Sequence, residues 1–437
     1  MTLLHPQSRP PSRRIYILSP LLGFLFVYLF FYIETPLHVS STIATTSSQE
    51  PPCPPLPGIE DVLVVLKTGV TEALDKVPVH FQTTLRCIPN AVLFSDYDEV
   101  IAGVPAQDVL RSVNESIKRT NPDFNLYNRL RASGRNGLSQ NDVSRVPNSP
   151  FGMPDNPGWK LDKWKFLPMI DEALQVRDDA KWYVFMEADT YYIWPNLLQW
   201  LAQLDPDRPY YLGNQMQIAD VIFGHGGSGF VLSREAMHRA SKLRARDLDA
   251  WDRFTSEQWA GDCVLGKLLH DAGAPLLWSW PMLQSNTPAE FDHFADGYSR
   301  KAWCYPPVAY HHVTGDDIRE LDKFDQGFFQ KKEENSVMLH GDVFRHLVQP
   351  HLIPLQDDWD NFSEEEQVVG SLTECKALCI GKPDCLQYSF STDKCRTSKG
   401  VKRGIGRTGV TSGWITGRID AVAQELGSCE TPRWITL

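Results

Sequence analysis

From Ile15 to Ile33 the chain runs for nineteen residues without a charged side chain, mostly Leu, Phe, Ile and Tyr. That is long enough to cross a bilayer as a helix. Arg9, Arg13 and Arg14 precede it and favour a cytoplasmic N-terminus. Pro20 and Gly23 are tolerated in a membrane helix. A cleaved signal peptide would have a shorter apolar core and a small-residue cleavage site, which this stretch lacks. The pattern predicts a cytoplasmic tail at 1–14 and a transmembrane signal anchor at 15–33. Residues 34–58 are rich in Thr, Ser and Pro and cannot bury a core, so they read as an extended stem.

Folding signals begin near residue 61. Val62 to Leu66 is an apolar strand followed by a Thr68-Gly69 turn. Val70, Leu74, Val77 and Phe81 recur at helical spacing, and Ala91 to Phe94 is a second strand ending in Ser95-Asp96. Strand, helix, strand predicts a parallel βαβ unit. Residues 132–158 are rich in Gly, Asn, Ser and Pro and read as a long loop. Leu161, Trp164, Leu167, Ile170 and Leu174 mark one helical face. The chain then reaches Trp182 to Met186, five apolar residues in a row, ended by Glu187-Ala188-Asp189. Such a run predicts a strand buried on both faces of a parallel sheet. Glu187 and Asp189, two apart, can point to the same side at the strand's carboxyl end, where open α/β sheets hold ligands. Hard oxygen donors there suit Mn²⁺ or Mg²⁺; the plainer reading is a strand that ends in solvent.

Beyond this strand, Pro195 suits a helix start, and Leu197, Leu198, Leu201 and Leu204 form its stripe. Gly226, Gly227 and Gly229 permit close backbone approach to a ligand or a neighbouring strand. Ser233 is a credible N-cap for a helix over 234–243, and Asp262 opens another helix. Tyr310-His311-His312-Val313 sits in a short β-like stretch. Residues 356–362 read as a linker. The tail then changes character: Cys375 and Cys379 share one helical face, Cys385 and Cys395 follow, and Leu386 to Phe390 alternate like a strand. This predicts a small disulfide-stapled α+β module; zinc knuckles would need a different last spacing.

Composition narrows the function. The 437 residues are 42% hydrophobic, enough for one large domain and a small one, and a net charge of −11 excludes a nucleic-acid binder, which needs a basic face. Four of the nine cysteines crowd into 375–395, which suits an oxidising compartment. Asn114-Glu115-Ser116 and Asn361-Phe362-Ser363 are candidate glycosylation acceptors on a lumenal side.

Glu187-Ala188-Asp189-Thr190-Tyr191, Gly226 through Ser233, Asp262 through Lys267 and Tyr310 through Val313 occur in an order that resembles the Fringe and core 1 β1,3-galactosyltransferase branch of glycosyltransferase family 31. The Thr68-Gly69 turn and the Val92–Ser95 strand fit its nucleotide-binding half. The resemblance covers about residues 60–330. It implies a GT-A fold, Rossmann-like with a mostly parallel central sheet, over residues 59–355. It also implies a UDP-sugar donor, a Mn²⁺ ion and inversion at the anomeric carbon. Residue by residue it makes Asp189 and His311 metal ligands, with His312 a rival to His311. Asp262 becomes the catalytic base, with an N-cap as its alternative role. Thr68, Gly69, Asp96, Glu187, Gly227 and Ser228 are the candidate donor-binding residues. Where the family shows three consecutive aspartates, Ala188 removes the middle carboxylate, and Glu187 reaches a metal only through water.

Residues 356–430 are similar to PAN or apple modules, which implies the pairs Cys375–Cys395 and Cys379–Cys385. The expectation is a Golgi or ER-Golgi membrane protein, single-pass and type II, with a lumenal catalytic domain. It moves galactose or an N-acetylhexosamine to a glycan or glycoprotein in β1,3 linkage. The alternative is a non-catalytic glycan-binding protein on a degenerate transferase domain. A glycoside hydrolase is disfavoured because a metal constellation for a diphosphate has no use there.

Overall fold

A computed structural model describes residues 53–143, 156–332 and 335–436. The tail and anchor expected at 1–33, and most of the stem, lie outside the described residues. No helix among the described residues is long and apolar enough to cross a membrane.

Strands in chain order are β1 (Val62–Lys67), β2 (Ala91–Ser95), β3 (Glu99–Ile101), β4 (Val104–Asp108), β5 (Trp182–Glu187), β6 (Thr190–Tyr192) and β7 (Tyr211–Gly213). There follow β8 (Gln215–Ile218), β9 (Val221–Gly224), β10 (Phe230–Ser233), β11 (Leu276–Trp278), β12 (Asp296–Gly297), β13 (Arg300–Lys301) and β14 (Ala309–His311). Eight of them form one mixed sheet in the order β11-β7-β10-β5-β1-β2-β4-β3. Its middle, β5-β1-β2-β4, is parallel. The glycine-led strand β10 runs antiparallel to both β5 and β7. β1 is buried along its whole length and β5 up to its last residue, which explains runs of apolar residues without alternation.

Alternate residues of these strands feed two cores. Leu63, Val65, Tyr183 and Phe185 pack with Leu167 and Ile170 of helix Phe166–Val176 and with Leu265 and Leu268 of helix Gly261–Asp271. Val62, Val64, Leu66, Val184 and Met186 pack with Leu197 and Trp200 of helix Trp194–Leu201. Two layers of helices around one sheet are the α/β architecture that the pattern predicted.

Differences from the pattern have local causes. Pro78, with no N–H to donate, splits the segment over 70–81 into helices Ala73–Lys76 and Pro78–Gln82, and Leu74 faces solvent. Of the loop expected over 132–158, residues 144–155 lie outside the described residues, and its flanks belong to helices Asn125–Ser133 and Pro157–Asp162. The linker expected at 356–362 is instead woven into a sheet. Trp359–Asp360 pairs with Ile405–Gly406, and Gln356 bridges Ser412. Asn361 is fully buried, its amide donating to the Tyr388 and Gly413 carbonyls while its Oδ1 accepts from Ser363. A buried, bonded amide cannot carry a glycan in the folded protein, so that acceptor reading is corrected. Asn114 remains exposed and caps helix Glu115–Thr120.

The tail holds a four-stranded antiparallel sheet of Glu365–Val368, Lys394–Ser398, Gln387–Ser391 and Thr411–Trp414. Cys375–Cys395 staples helix Leu372–Gly381 to it, and Cys379–Cys385 ties the same helix to the segment that enters strand Gln387–Ser391. Cys53–Cys87 and Cys304–Cys429 are also bonded, while Cys263 is a buried thiol. Trp414, Ile419 and Val401 share a core with Trp303, Phe344 and Val348, and Trp434 and Ile435 pack into the core that holds helix Trp194–Leu201, whose Trp200 donates its indole N–H to the Ile435 carbonyl at 2.7 Å.

Candidate functional site

The carboxyl ends of β1, β2 and β5 lie side by side because these strands are parallel neighbours, with Lys67 in register with Glu187. The turns that leave them are tied together below the site. Asp96, fully buried, accepts the Val70 N–H at 2.8 Å and faces Lys165 Nζ at 3.1 Å. Lys165 in turn donates to the Thr68 carbonyl at 2.7 Å. Gly69 lies against this pair: a Cβ there would fall 3.0 Å from both Asp96 Oδ2 and Lys165 Nζ. Thr68, Gly69 and Asp96 therefore form one braced turn, with the buried charge of Lys165 compensated by carboxylates.

Past β5 the chain turns at Ala188-Asp189 into β6, which pairs antiparallel with β14 so that His311 stands opposite Thr190. This pairing brings Asp189 Oδ1 to 3.1 Å from His311 Nε2. His312 takes a left-handed backbone, φ 61°. Consecutive strand residues point to opposite faces, but this turn stacks the two imidazoles with ring centres 3.9 Å apart. Asp189, His311 and His312 each offer one ligand atom, and these atoms lie within 4.8 Å of one another. His311 Nδ1 is buried without a hydrogen-bond partner. Two imidazoles and one carboxylate with an unused buried nitrogen are a donor set that fits a divalent first-row metal ion. Glu187 is turned to Lys67 at 3.0 Å, and Lys67 is also paired with Asp162.

Electrostatics follow the packing. Burial opposes the charge on Asp189, but His311 and Lys76 outweigh it and hold its carboxyl well below the usual range. Burial alone would also discharge His311; Asp189 reverses this and raises its pKa. Burial and the neighbouring His311 push His225 down to about 3 and His312 down to about 4.

The glycine loop before β10 joins this cluster to Asp262. Gly226 donates its N–H to Asp262 Oδ2 at 2.9 Å. Asp262 Oδ1 accepts the Cys263 N–H at 2.9 Å. The cap position of helix Gly261–Asp271 belongs to Ala260, so Asp262 sits inside the first turn. Burial and the charge of Glu187 lift its pKa to about 6, against the bond from Gly226. Gly227 packs on His311: a Cβ there would fall 2.2 Å from the ring. Ser228 is buried one residue further on, bonded to His225 at 2.8 Å and to Ser285 at 3.1 Å.

Gly227→Ala is accordingly expected to displace His311 and weaken Mn²⁺ binding roughly 10–100-fold, the usual cost of losing a group that orients a ligand. Isothermal titration with Mn²⁺ checks this. Wild-type affinity in the alanine variant would remove His311 from the ligand set.

Lys67, Lys76, Lys165 and His225 belong to this site but were not singled out in the sequence. Lys67 could have been found only from strand register, since it is sixth in an apolar strand. Lys76 lies in the amphipathic segment with no motif around it.

A family model described as Fringe-like matches residues 163–287. That stretch carries β5, Asp189, the glycine loop and Asp262, while the Thr68-Gly69 turn and the His311-His312 pair lie outside it. The match supports a glycosyltransferase of the Fringe-like kind, and with it a sugar donor and a glycan acceptor.

Proposed function

We propose that the protein is an inverting, Mn²⁺-dependent glycosyltransferase that moves a hexose, galactose or an N-acetylhexosamine, from a UDP-sugar to a glycan or glycoprotein in β1,3 linkage. The same reading places it in the Golgi or ER-Golgi membrane as a type II protein anchored by residues 15–33. One observation carries it: Gly226 bonds Asp262 and the adjacent Gly227 packs on His311, so a carboxylate base and a metal-ligand set stand on either side of one two-residue loop. Braced strand ends of this kind are where α/β sheets bind nucleotides.

Asp189, His311 and His312 would hold Mn²⁺, which when bound supplies Lewis-acid neutralisation of the diphosphate. The acceptor hydroxyl oxygen bonds to the anomeric carbon as the bond from that carbon to the UDP β-phosphate oxygen breaks. The hydroxyl proton passes to the Asp262 carboxylate, and the electron pair leaves on UDP. One positioned base is enough for a single displacement. Asp262 acts only when ionised, so with its pKa raised to about 6 the transfer rate should climb through that pH and then level off. A profile of kcat/KM against pH checks this; an acid limb nearer an ordinary carboxylate pKa would mean that another group is the base.

Screening UDP release with Mn²⁺ across UDP-galactose, UDP-N-acetylglucosamine, UDP-N-acetylgalactosamine and UDP-glucose tests the activity. The missing carboxylate at Ala188 favours the second reading, a glycan-binding protein, which predicts no UDP release from any donor.

A further inference from the structure

The acidic motif holds two lysines, and they are held differently. Lys67 is nearly inaccessible, clamped between Asp162 and Glu187 with its ammonium 4.6 Å above the Phe166 ring. Lys76 ends the short helix Ala73–Lys76, and its side chain is 33% exposed. Its Nζ lies 3.2 Å from Asp189 Oδ2 and 2.8 Å from Glu72 Oε2. Asp189 thus presents one oxygen to His311 and the other to Lys76. A divalent ion at Asp189 would stand within a few ångströms of a fixed ammonium, and the two like charges repel. A long flexible side chain with a charged end can leave one anion for another nearby, and Lys76 carries its charge on a four-carbon stem. A diphosphate bound at the same ion offers that second anion.

We infer that Lys76 is the resident counter-cation of Asp189 and moves to the donor's diphosphate when Asp189 takes a divalent ion, coupling the binding of ion and donor. This rests on the transferase reading above. Without UDP, Lys76 competes with the ion for Asp189. With UDP, Lys76 is drawn to the phosphates and the competition is lifted. By linkage, UDP and ion must then tighten each other's binding by the same factor.

The test is Mn²⁺ binding, read by the loss of the free-ion electron paramagnetic resonance signal, on the full-length protein in detergent with and without UDP. Lys76→Met should bind Mn²⁺ more tightly than wild type when UDP is absent, by about tenfold, within the usual span of coupling factors. The tightening that UDP brings should shrink by a similar factor. Lys76→Arg keeps the charge and should follow the wild type. The inference is overturned if Lys76→Met binds Mn²⁺ no better than wild type without UDP, or if Lys76→Arg behaves like Lys76→Met. A wild type that takes up no Mn²⁺ even with UDP would instead overturn the metal reading itself, and the role of Lys76 with it.

Discussion

Asp262→Asn is expected to fold, to bind Mn²⁺ and UDP as the wild type does, and to transfer sugar roughly a hundredfold more slowly or worse, the usual contribution of a general base. Asparagine fills the same volume but takes no proton at working pH. It also offers one acceptor where aspartate offers two. Both oxygens of Asp262 are in use, one on Cys263 N–H and one on Gly226 N–H, each at 2.9 Å. The variant can keep only one of these bonds, so a small loss of stability, about 1 kcal/mol, should accompany the kinetic defect. That pairing of effects separates the roles. A residue that merely braces the helix start would lose stability alone and keep its turnover. A base loses turnover with ligand affinity intact, and any residual rate should lack the acid limb near pH 6. Turnover close to wild type in Asp262→Asn would leave the residue structural and the base elsewhere in the cleft.

What the sequence made legible is what burial alone decides. β1 and β5 read directly, because a strand covered on both faces must be apolar throughout. The helix over 234–243 read from its Ser233 cap, which accepts the Ala236 N–H. The candidate site was legible where a motif fixes the residue, as at Asp189, Gly227 and Asp262. It was not legible where tertiary geometry decides. His311 and His312 looked like alternatives because the motif places two adjacent histidines at one ligand position; a left-handed turn at His312 sets both rings beside Asp189. Lys76 carries no local signal, since only the pairing of β1 with β5 and the turn after β1 bring it to Asp189, 113 positions further along the chain. Asn361 failed as a glycan acceptor for the same reason. Its sequon is local, but its burial comes from strands that arrive later in the chain.

Asp189→Ala is expected to abolish Mn²⁺-dependent UDP binding and, with it, transfer. Asp189 is the only carboxylate in the three-residue ligand group and the point at which Lys76 and His311 converge. Removing it takes the anion from the set and leaves the Lys76 ammonium and the His311 imidazole with no charge between them. His311, whose pKa is raised by Asp189 against burial, should then become an ordinary neutral buried histidine. Asp189→Asn tests whether charge or shape is at stake, because it keeps the volume but not the charge; it too should lose Mn²⁺ binding, with less effect on stability. His311→Ala should weaken Mn²⁺ and UDP binding more than His312→Ala, since His311 is the more deeply buried and touches Asp189 directly. Titrating each variant with Mn²⁺ in the presence of UDP gives the order Asp189→Ala, then His311→Ala, then His312→Ala. If His312→Ala proves the worse of the two histidine variants, the assignment of the primary imidazole is reversed. If Asp189→Ala still binds Mn²⁺ and UDP together, the ion is held elsewhere, and the cluster at the end of β5 is a salt-bridged turn.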